Sequence, residues 1–356
     1  MVSEKKEFKV PIELGGMRID SVIQSLLPEF SRTRIQKWIK EGYVKVDSLG
    51  IHPKKKIIGG EYIEIEIQPD EQFYQFEPEE IPLDIVFEDD YILVINKPSD
   101  LVVHPAAGNW SGTLLNGILN YLPSNKNLPR AGIVHRLDKN TTGLMVVAKD
   151  EVSQQHLIRQ LQSKKVNREY RAIVWGQVWT NKSISQPIGR HPTVRVKMAV
   201  NKISGKDSIT HYEVLERFGL HSYLRCNLET GRTHQIRVHM QFNDSPIVGD
   251  PVYGIKKIIP TKNMPADLRK AALDFGRQAL HAIGLGLIHP FTNEPMKWVI
   301  DLPADMKALL DVIRNEVIHD KEVFKLDNLY VDDLDEELAV ESLLDNFDSL
   351  DGEDDQ

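Results

Sequence analysis

Apolar residues recur at helical spacing twice within the first 45 residues of the chain. The first run stops at Pro28, which cannot continue a helix, and its apolar positions are Ile19, Val22, Ile23, Leu26 and Leu27. The second follows Ser31, a suitable N-cap, and ends near Gly42, a suitable left-handed C-cap; its apolar face is Ile35, Trp38 and Ile39. Residues 62–67 alternate apolar and acidic side chains, as a half-exposed strand does. We therefore predict a small helix-helix-strand domain over residues 1–75.

The longer part of the chain has a different pattern. From about Ile81 to Lys325, short β-branched runs alternate with amphipathic helical stretches, which indicates an α+β domain over residues 76–326. Two continuous apolar runs, at residues 91–95 and 144–148, predict strands that are buried on both faces. Between Asp150 and Lys165, an acidic start, a basic end and a single apolar side predict a helix.

The net charge of −8 over 356 residues hides an uneven distribution. Residues 327–356 contain 13 Asp or Glu and no Lys or Arg, and this repulsion predicts a disordered acidic tail. The remainder has 44 basic residues against 39 acidic ones, a net charge of +5. A modestly cationic body is compatible with binding to the phosphate backbone of a nucleic acid.

Several classes of protein are excluded by what the sequence lacks. No apolar run is long enough to span a bilayer, and the N-terminus has no signal-peptide core, so we expect a cytoplasmic protein. Cys226 is the only cysteine, which excludes an internal disulfide and any zinc site with two thiolates. No glycine-rich phosphate loop is present, which argues against P-loop and Rossmann chemistry, and we expect no cofactor.

The second predicted helix has a basic face and leads into further lysines. Between Ser31 and Lys56 there are 8 basic and 2 acidic residues, a pattern that is ordinarily a solvated charged face. However, residues 31–47, SRTRIQKWIKEGYVKVD, resemble an S4 RNA-binding module. That resemblance implies a small α/β domain with these RNA-binding candidates: Arg32, Arg34, Lys37, Lys40, Lys45 and Lys54.

The strongest local signal is a polar loop at residues 132–144 that leads directly into a buried strand. A lone aspartate in such a loop is ordinarily a turn former or a cap. Here Asp138 lies among His135, Arg136 and Lys139, an arrangement that can hold a carboxylate ionised, since a neighbouring guanidinium favours the charged form. A carboxylate is a nucleophile only when it is ionised, so the loop is a candidate catalytic element.

A second basic segment, residues 230–239, reads TGRTHQIRVH. The alternation in its second half predicts a strand with Gln235, Arg237 and His239 on one face, and Arg237 is the candidate partner of Asp138. The alternative is a cationic edge strand that contacts phosphate or solvent. On a strand, His234 and His239 would lie on opposite faces, which argues against a metal site.

Residues 168–176 form a third alternating segment, in which Tyr170 and Ala172 share a face. A tyrosine on a strand ordinarily packs in the core with its hydroxyl bonded at the rim. Next to a nucleotide site, the same ring could stack on a base.

Together these segments resemble the RluA-type pseudouridine synthases. The resemblance covers about 300 residues and includes INKP at 95–98, VVHP at 102–105, HRLDKNTTGL at 135–144, REYRA at 168–172, GRTHQIRVHM at 231–240 and GDPVYG at 249–254. The fold it implies has a mixed, largely antiparallel sheet flanked by helices and loops. It implies Asp138 as the nucleophile, Arg237 as its ion-pair partner, Tyr170 as the stacking residue and Arg136 as the residue that replaces the flipped base. Asp100 departs from the family pattern, because many relatives have glycine there.

The substrate implied by this resemblance is a uridine of large-subunit ribosomal RNA, free or in a pre-ribosomal particle, in the stem-loop called helix 69 of 23S rRNA. His135, Arg232 and Gln235 are further candidates for substrate binding. The sequence allows attack by Asp138 at C6 of the base or at C1' of the sugar. We expect a monomer without an obligate protein partner. Two other classes stay open: a non-catalytic ribosome-assembly factor, and a glycosidase, which would ordinarily need a second acid.

Overall fold

A computed structural model describes residues 4–27, 30, 32–67, 76–105, 109–194, 197–255 and 265–315. The described residues form two compact units, the first containing residues 4–67 and the second residues 76–315. The predicted acidic tail, the helix stop at Pro28 and the N-cap at Ser31 lie outside the described residues.

The first unit packs two helices against a small antiparallel sheet. Its strand order is β1-β4-β2-β3, and its elements are β1 (Glu4–Lys9), α1 (Ile19–Leu26), α2 (Arg32–Glu41), β2 (Val44–Val46), β3 (Leu49–Gly50) and β4 (Tyr62–Ile67). Both predicted helices and the predicted strand are confirmed. Gly42 follows α2 with a φ of 86°, the left-handed conformation expected of a C-cap. The apolar faces of the helices meet the sheet in a separate core around Ile19, Ile35 and Ile63.

The second unit is built on a nine-stranded sheet with the order β5-β6-β7-β14-β8-β13-β12-β9, to which β15 adds beside β14. Its strands are β5 (Ile85–Glu88), β6 (Ile92–Lys97), β7 (Thr142–Ala148), β8 (Asn167–Trp175), β9 (Lys182–Ser185), β12 (Ile209–Arg217), β13 (His221–Leu228), β14 (Leu280–Ile288) and β15 (Pro295–Val299). A separate hairpin pairs β10 (Ile188–Arg190) with β11 (Met198–Val200). The helices are α3 (Leu114–Tyr121), α4 (Glu151–Gln162), α5 (Gln235–Phe242), α6 (Ala266–Asp274) and α7 (Ala304–Asn315).

The predicted mixed, largely antiparallel sheet is confirmed for this unit. Every described strand pairing is antiparallel except that of β7 with β14. The apolar runs predicted as two-sided strands are β6 and β7, and every residue of β7 is buried. The predicted helix is α4, in which the Asp150 side chain caps the helix by accepting from the Ser153 N–H at 2.9 Å.

The start of β7 approaches β14 very closely, and this approach positions the end of the polar loop. His281 and Ala282 of β14 pair with Thr142 and Gly143. Gly143 has a φ of 120°, and a Cβ there would overlap the carbonyl oxygen of Ala282. The glycine therefore lets the loop enter the sheet against a neighbouring backbone. No helix among the described residues is both long and apolar enough to cross a bilayer.

Candidate active site

The polar loop that precedes β7 is pinned to the strand that it enters. Ile133 forms an isolated bridge with Val147, and the Nε2 of His135 accepts a hydrogen bond from the Val146 N–H at 3.0 Å. Burial lowers the pKa of His135 to about 3, so its ring is neutral and can accept this bond at neutral pH. The structure thus gives His135 a role in fixing the loop, and its contact with substrate stays a prediction.

A buried lysine holds the middle of the same loop. Lys97 at the end of β6 is 1% exposed, and its Nζ donates to the carbonyl oxygens of Pro98, Leu101 and Lys139 at 2.7, 2.8 and 2.8 Å. A buried ammonium needs such acceptors, and three carbonyls from two loops meet the requirement. Lys97 therefore holds the backbone just after Asp138 in place through the Lys139 carbonyl. The sequence motif contained Lys97 without indicating this role.

Arg277 holds the far end of the loop. Its Nε and Nη2 donate to both carboxylate oxygens of Asp305 on α7, at 2.7 and 2.9 Å, while its Nη1 donates to the carbonyl oxygen of Asn140 at 3.3 Å. The neighbouring Gln278 donates to the Thr141 hydroxyl at 3.0 Å. The loop is thus anchored on both sides of Asp138, a prerequisite for holding a reactive group in one geometry.

Asp138 and Arg237 form the ion pair that the sequence predicted. The Nη1 of Arg237 donates to Oδ2 of Asp138 at 2.9 Å, with the arginine side chain 3% exposed and the aspartate side chain 13% exposed. The other oxygen of Asp138, Oδ1, has no hydrogen-bond partner among the described residues. One oxygen is therefore neutralised by the arginine, and the second is left for another reactant.

A second carboxylate, which the sequence did not assign, holds the arginine in place. Asp250 accepts from Nε and Nη2 of Arg237 at 2.7 and 3.0 Å, and its Oδ1 also accepts from the N–H groups of Val252 and Tyr253, both at 2.9 Å. This fork is the bidentate geometry that suits arginine. Asp250 is buried and fully used in these bonds, so it cannot serve as the second acid of a glycosidase.

The environment keeps Asp138 ionised. Burial alone would raise its pKa, but the neighbouring positive charges of His234, Arg237 and Arg136 lower it to about 2. At neutral pH His234 is itself uncharged, because burial lowers its pKa to about 4. Arg237 is therefore the principal cation acting on Asp138. Burial opposes the charge of Arg237, but the salt bridges to Asp250 and then Asp138 raise its pKa. The carboxylate is an anion throughout the physiological pH range.

His234 and Tyr253 form a bonded pair beside these charges. The hydroxyl oxygen of Tyr253 accepts from the Met198 N–H at 2.9 Å and lies 2.8 Å from Nδ1 of His234. His234 has a φ of 55°, a left-handed conformation at the N-terminus of α5.

Tyr170 projects from β8 into the buried side of this site. It is 5% exposed, and burial, aided by the charge of Asp138, raises its pKa to about 12. The phenol is therefore protonated at neutral pH. Its hydroxyl has no hydrogen-bond partner among the described residues, unlike a core tyrosine bonded at the rim. Arg136, two residues before Asp138, is partly buried and contributes to the low pKa of that carboxyl group.

The prediction that residues 235–239 form a strand is wrong, because they begin the helix α5. The left-handed His234 turns the chain, and residues 235–240 are all buried, so the polar and apolar positions do not mark two faces of a sheet. The polar residues are instead satisfied individually. His239, for example, bonds the Thr210 hydroxyl at 2.8 Å and the Gln186 carbonyl at 3.0 Å. Arg237 reaches Asp138 from a helix rather than from a strand.

Two other predicted substrate contacts are engaged by the protein itself. The amide oxygen of Gln235 accepts from the Thr230 hydroxyl and the Arg232 N–H, and its nitrogen donates to the Ile209 carbonyl and the Thr210 hydroxyl. All four positions of the amide are used, so Gln235 shapes the loop that precedes α5. The Nε of Arg232 donates to the Asp207 carbonyl at 3.3 Å, and the residue is partly exposed. Their binding of substrate stays a prediction.

The basic residues predicted in the first unit differ in their surroundings. Lys37, Lys40, Lys45 and Lys54 are exposed, and Lys37 lies 4.0 Å from Glu41. Arg32 is partly buried and bonds the buried Asp20. The side chain of Arg34 lies outside what the structure describes. Among the described residues of both units, no group of three or more His, Cys, Asp or Glu could hold a metal ion.

Comparison with known proteins gives consistent matches. Residues 91–242 match the RNA pseudouridylate synthase family. The chain is 51% identical over 308 residues to ribosomal large subunit pseudouridine synthase D of Neisseria meningitidis, covering 86% of this chain and 81% of that protein. It is 48% identical over 300 residues to the protein of the same name from Escherichia coli, covering 84% and 91%. A solved structure titled human RNA pseudouridylate synthase domain containing 4 covers 65% of this chain and 93% of that one, with 25% identity and a TM-score of 0.49.

Proposed function

This chain belongs to the RNA pseudouridylate synthase family, and we propose that it isomerises uridines of large-subunit ribosomal RNA with the carboxylate of Asp138 as the nucleophile. The observation that carries the role of Asp138 is its ion pair with Arg237. One carboxylate oxygen is held at 2.9 Å by a buried guanidinium, and the pKa is lowered to about 2. The second oxygen has no partner among the described residues, so it is the atom that attacks.

The reaction itself requires no exchanged group. The C1'–N1 bond of uridine breaks, a C1'–C5 bond forms, C5 loses its proton and N1 gains one. Because the product is an isomer, no oxidant, reductant or group donor is consumed. The protein has to supply an anionic nucleophile and a pocket that retains the detached uracil while it turns. Attack at C6 and attack at C1' both require the ionised form of Asp138.

The target base must leave the RNA helix before Asp138 can reach it. Unstacking a base costs a few kcal/mol, and loops or mismatched positions lower that cost. We assign Arg136, which lies in the loop two residues before Asp138, to the space that the flipped base vacates. We assign Tyr170 to stacking against the flipped uracil, because its ring lies near the carboxylate and its hydroxyl is not committed to another group.

The two units of the chain then have separate tasks. The second unit carries the reaction, and the first, as an S4-like domain, docks RNA through its basic residues. Four exposed lysines support this task, because phosphate contacts provide affinity and register. The substrate is the ribosomal RNA or a pre-ribosomal particle. The names of the relatives support large-subunit RNA, and we assign the target within it to helix 69.

The proposal is tested with the purified chain, a large-subunit rRNA transcript and Asp138→Asn. We expect pseudouridine formation to be abolished while RNA affinity stays within about threefold of the parent, because the change removes one charge without altering the size of the side chain. Unchanged product from Asp138→Asn would reject the role of Asp138 as nucleophile. Absence of product from the parent chain would support an assembly factor, and release of free uracil would support a glycosidase. Mapping pseudouridines in rRNA from cells that lack the protein tests the assignment to helix 69, which fails if that stem-loop keeps its modification.

A further inference from the structure

Within the first unit, a single buried carboxylate organises two arginines. Asp20 on α1 is fully buried, and it accepts from Nε and Nη2 of Arg18 at 3.1 and 2.7 Å. It also accepts from Nε and Nη2 of Arg32 at 3.1 and 3.2 Å, and from the amide nitrogen of Gln36 at 2.6 Å. We call these four residues the Asp20 cluster. Despite its burial, which raises a carboxyl pKa, the bonds to Arg32, Gln36 and Arg18 lower the pKa of Asp20, so the carboxylate is ionised.

Each arginine uses only one of its two edges in this cluster. A guanidinium presents a side edge, made by Nε and one Nη, and an end edge, made by the two Nη atoms. Asp20 occupies the side edge of both arginines. The Nη1 of Arg18 and the Nη1 of Arg32 have no partner among the described residues, and the two side chains are 35% and 36% exposed. Both end edges therefore remain as forks that can donate to a further anion.

The cluster carries an excess of positive charge. Two guanidinium groups on one carboxylate leave a net charge of +1, and Arg18 forms an antiparallel bridge with the exposed Lys56. Side chains that face each other across an antiparallel pair lie about 5 Å apart at Cβ, so Lys56 adds a third cation beside Arg18. An isolated buried ion pair would be neutral. In the Asp20 cluster the cations outnumber the carboxylate, and both arginine side chains are partly exposed to solvent.

We propose that the end edges of Arg18 and Arg32, held by Asp20, form a phosphate-binding site for the RNA backbone. This inference rests on the proposal that the first unit docks RNA, and it names the atoms that do so. A phosphodiester accepts two parallel N–H bonds from an arginine fork. Because Asp20 fixes both guanidinium planes before RNA arrives, little side-chain entropy is lost on binding. Asp20 is thus a positioning residue, and Arg18, which the basic helix did not indicate, is a binding residue.

Replacing Asp20 separates the effect of positioning the two arginines from the effect of the protein's net charge. Asp20→Asn makes the protein more positive by one charge, so attraction by net charge alone predicts tighter RNA binding at low salt. The proposal predicts the opposite, a dissociation constant that is roughly tenfold higher, because the forks are no longer held. The measurement is a binding titration of the full-length chain against a large-subunit rRNA transcript at several salt concentrations. Affinity equal to or tighter than that of the parent overturns the proposal.

A charge-conserving pair of variants keeps the test decisive if Asp20→Asn does not fold. Arg32→Lys and Arg18→Lys retain the charge but lose the planar fork that binds Asp20 through one edge and leaves the other edge for a phosphate. We expect each to weaken binding roughly fivefold or more. Arg159→Lys, an exposed position on α4, is the matched control and should bind like the parent. If Arg18→Lys and Arg32→Lys also bind like the control, the proposal is wrong. The Asp138→Asn experiment tests catalysis by the loss of product while RNA stays bound, whereas the variants of the Asp20 cluster are tested by RNA affinity. Either proposal can therefore fail without the other.

Discussion

At the scale of single residues, the site depends on a balance between burial and charge at Asp138. Burial would raise the pKa of the carboxyl group, and the guanidinium of Arg237 reverses that effect. The sequence predicted this pair correctly, because a lone aspartate in a basic loop and a separate basic motif are both visible in it. It did not reveal the role of Asp250, which holds the arginine: the GDPVYG motif contains this aspartate but does not indicate its partner.

The pH dependence of the reaction follows from this balance. The pKa of Asp138 falls from 3.8 to about 2 on folding. The corresponding stabilisation is present above pH about 4 and is lost as the pH falls towards 2. We therefore expect no decline in the single-turnover rate caused by Asp138 between pH 8 and pH 5. In Arg237→Gln, the effect of burial on the pKa of Asp138 should dominate and raise that pKa. The decline of the rate at low pH should therefore move to higher pH. A parent rate that already declines near pH 6 with the protonation of Asp138 would contradict this account.

A variant of Tyr170 separates the stacking proposed for its ring from any chemistry of its hydroxyl group. In Tyr170→Phe the ring survives, so RNA affinity should remain within about twofold of the parent, since substitutions that keep the packing area cost little. Turnover should be slower, because the hydroxyl lies near Asp138 and is not used in packing. The measurement is the single-turnover rate at saturating RNA. A rate equal to that of the parent would exclude any role of the hydroxyl in proton transfer.

At the scale of secondary-structure elements, prediction from the pattern succeeded where one face of an element is buried. Helices α1, α2 and α4 have clear apolar stripes, and β6 and β7 have continuous apolar runs. It failed at α5, where residues 235–240 are all buried and polar side chains find internal partners. For such an element the alternation of residue types carries no information on which face is exposed. The tertiary contacts decide between helix and strand.

The approach of β7 to β14 can be tested at Gly143. In Gly143→Ala the new Cβ would overlap the Ala282 carbonyl, and the φ of 120° is unfavourable for alanine. We expect a loss of about 3 kcal/mol or more in the free energy of unfolding, together with slower catalysis, because the loop that carries Asp138 is displaced. Gly286→Ala, in the same sheet but with only ordinary contacts at its Cβ, is the control and should change stability by about 1 kcal/mol or less. Equal stability of the two variants would refute this role of Gly143.

At the scale of the whole molecule, the described residues form two separate cores, which match the two tasks proposed for the two units. The core of the first unit contains no residue of the second, and the composition of the basic segments suggested which unit docks RNA. The buried tethers of the catalytic loop, Lys97 and Arg277, could not be predicted. Each reaches the loop through one carbonyl oxygen far away in sequence, that of Lys139 for Lys97 and that of Asn140 for Arg277. A carbonyl acceptor is present at every residue, so the type of the partner residue gives no signal.

Deletion of residues 1–75 tests this division. We expect the remaining chain to unfold cooperatively, since its core is intact, but to modify rRNA with a lower kcat/KM. The dependence of RNA affinity on salt should also become weaker, because fewer phosphates are neutralised. Primer-extension mapping of the modified uridines and binding titrations at several salt concentrations provide the measurements. Full modification of the same sites with an unchanged salt dependence would contradict a docking role for the first unit.

The two carboxylates that share Arg237 provide the most direct test of the central claim. Asp138 is partly exposed with one unbonded oxygen, whereas Asp250 is buried and fully bonded. The measurement is the single-turnover rate of pseudouridine formation at saturating RNA for Asp138→Asn and Asp250→Asn. We predict no detectable product from Asp138→Asn and slower but measurable product from Asp250→Asn. Product from Asp138→Asn at the rate of the parent, or activity lost only in Asp250→Asn, would show that Asp138 is not the nucleophile.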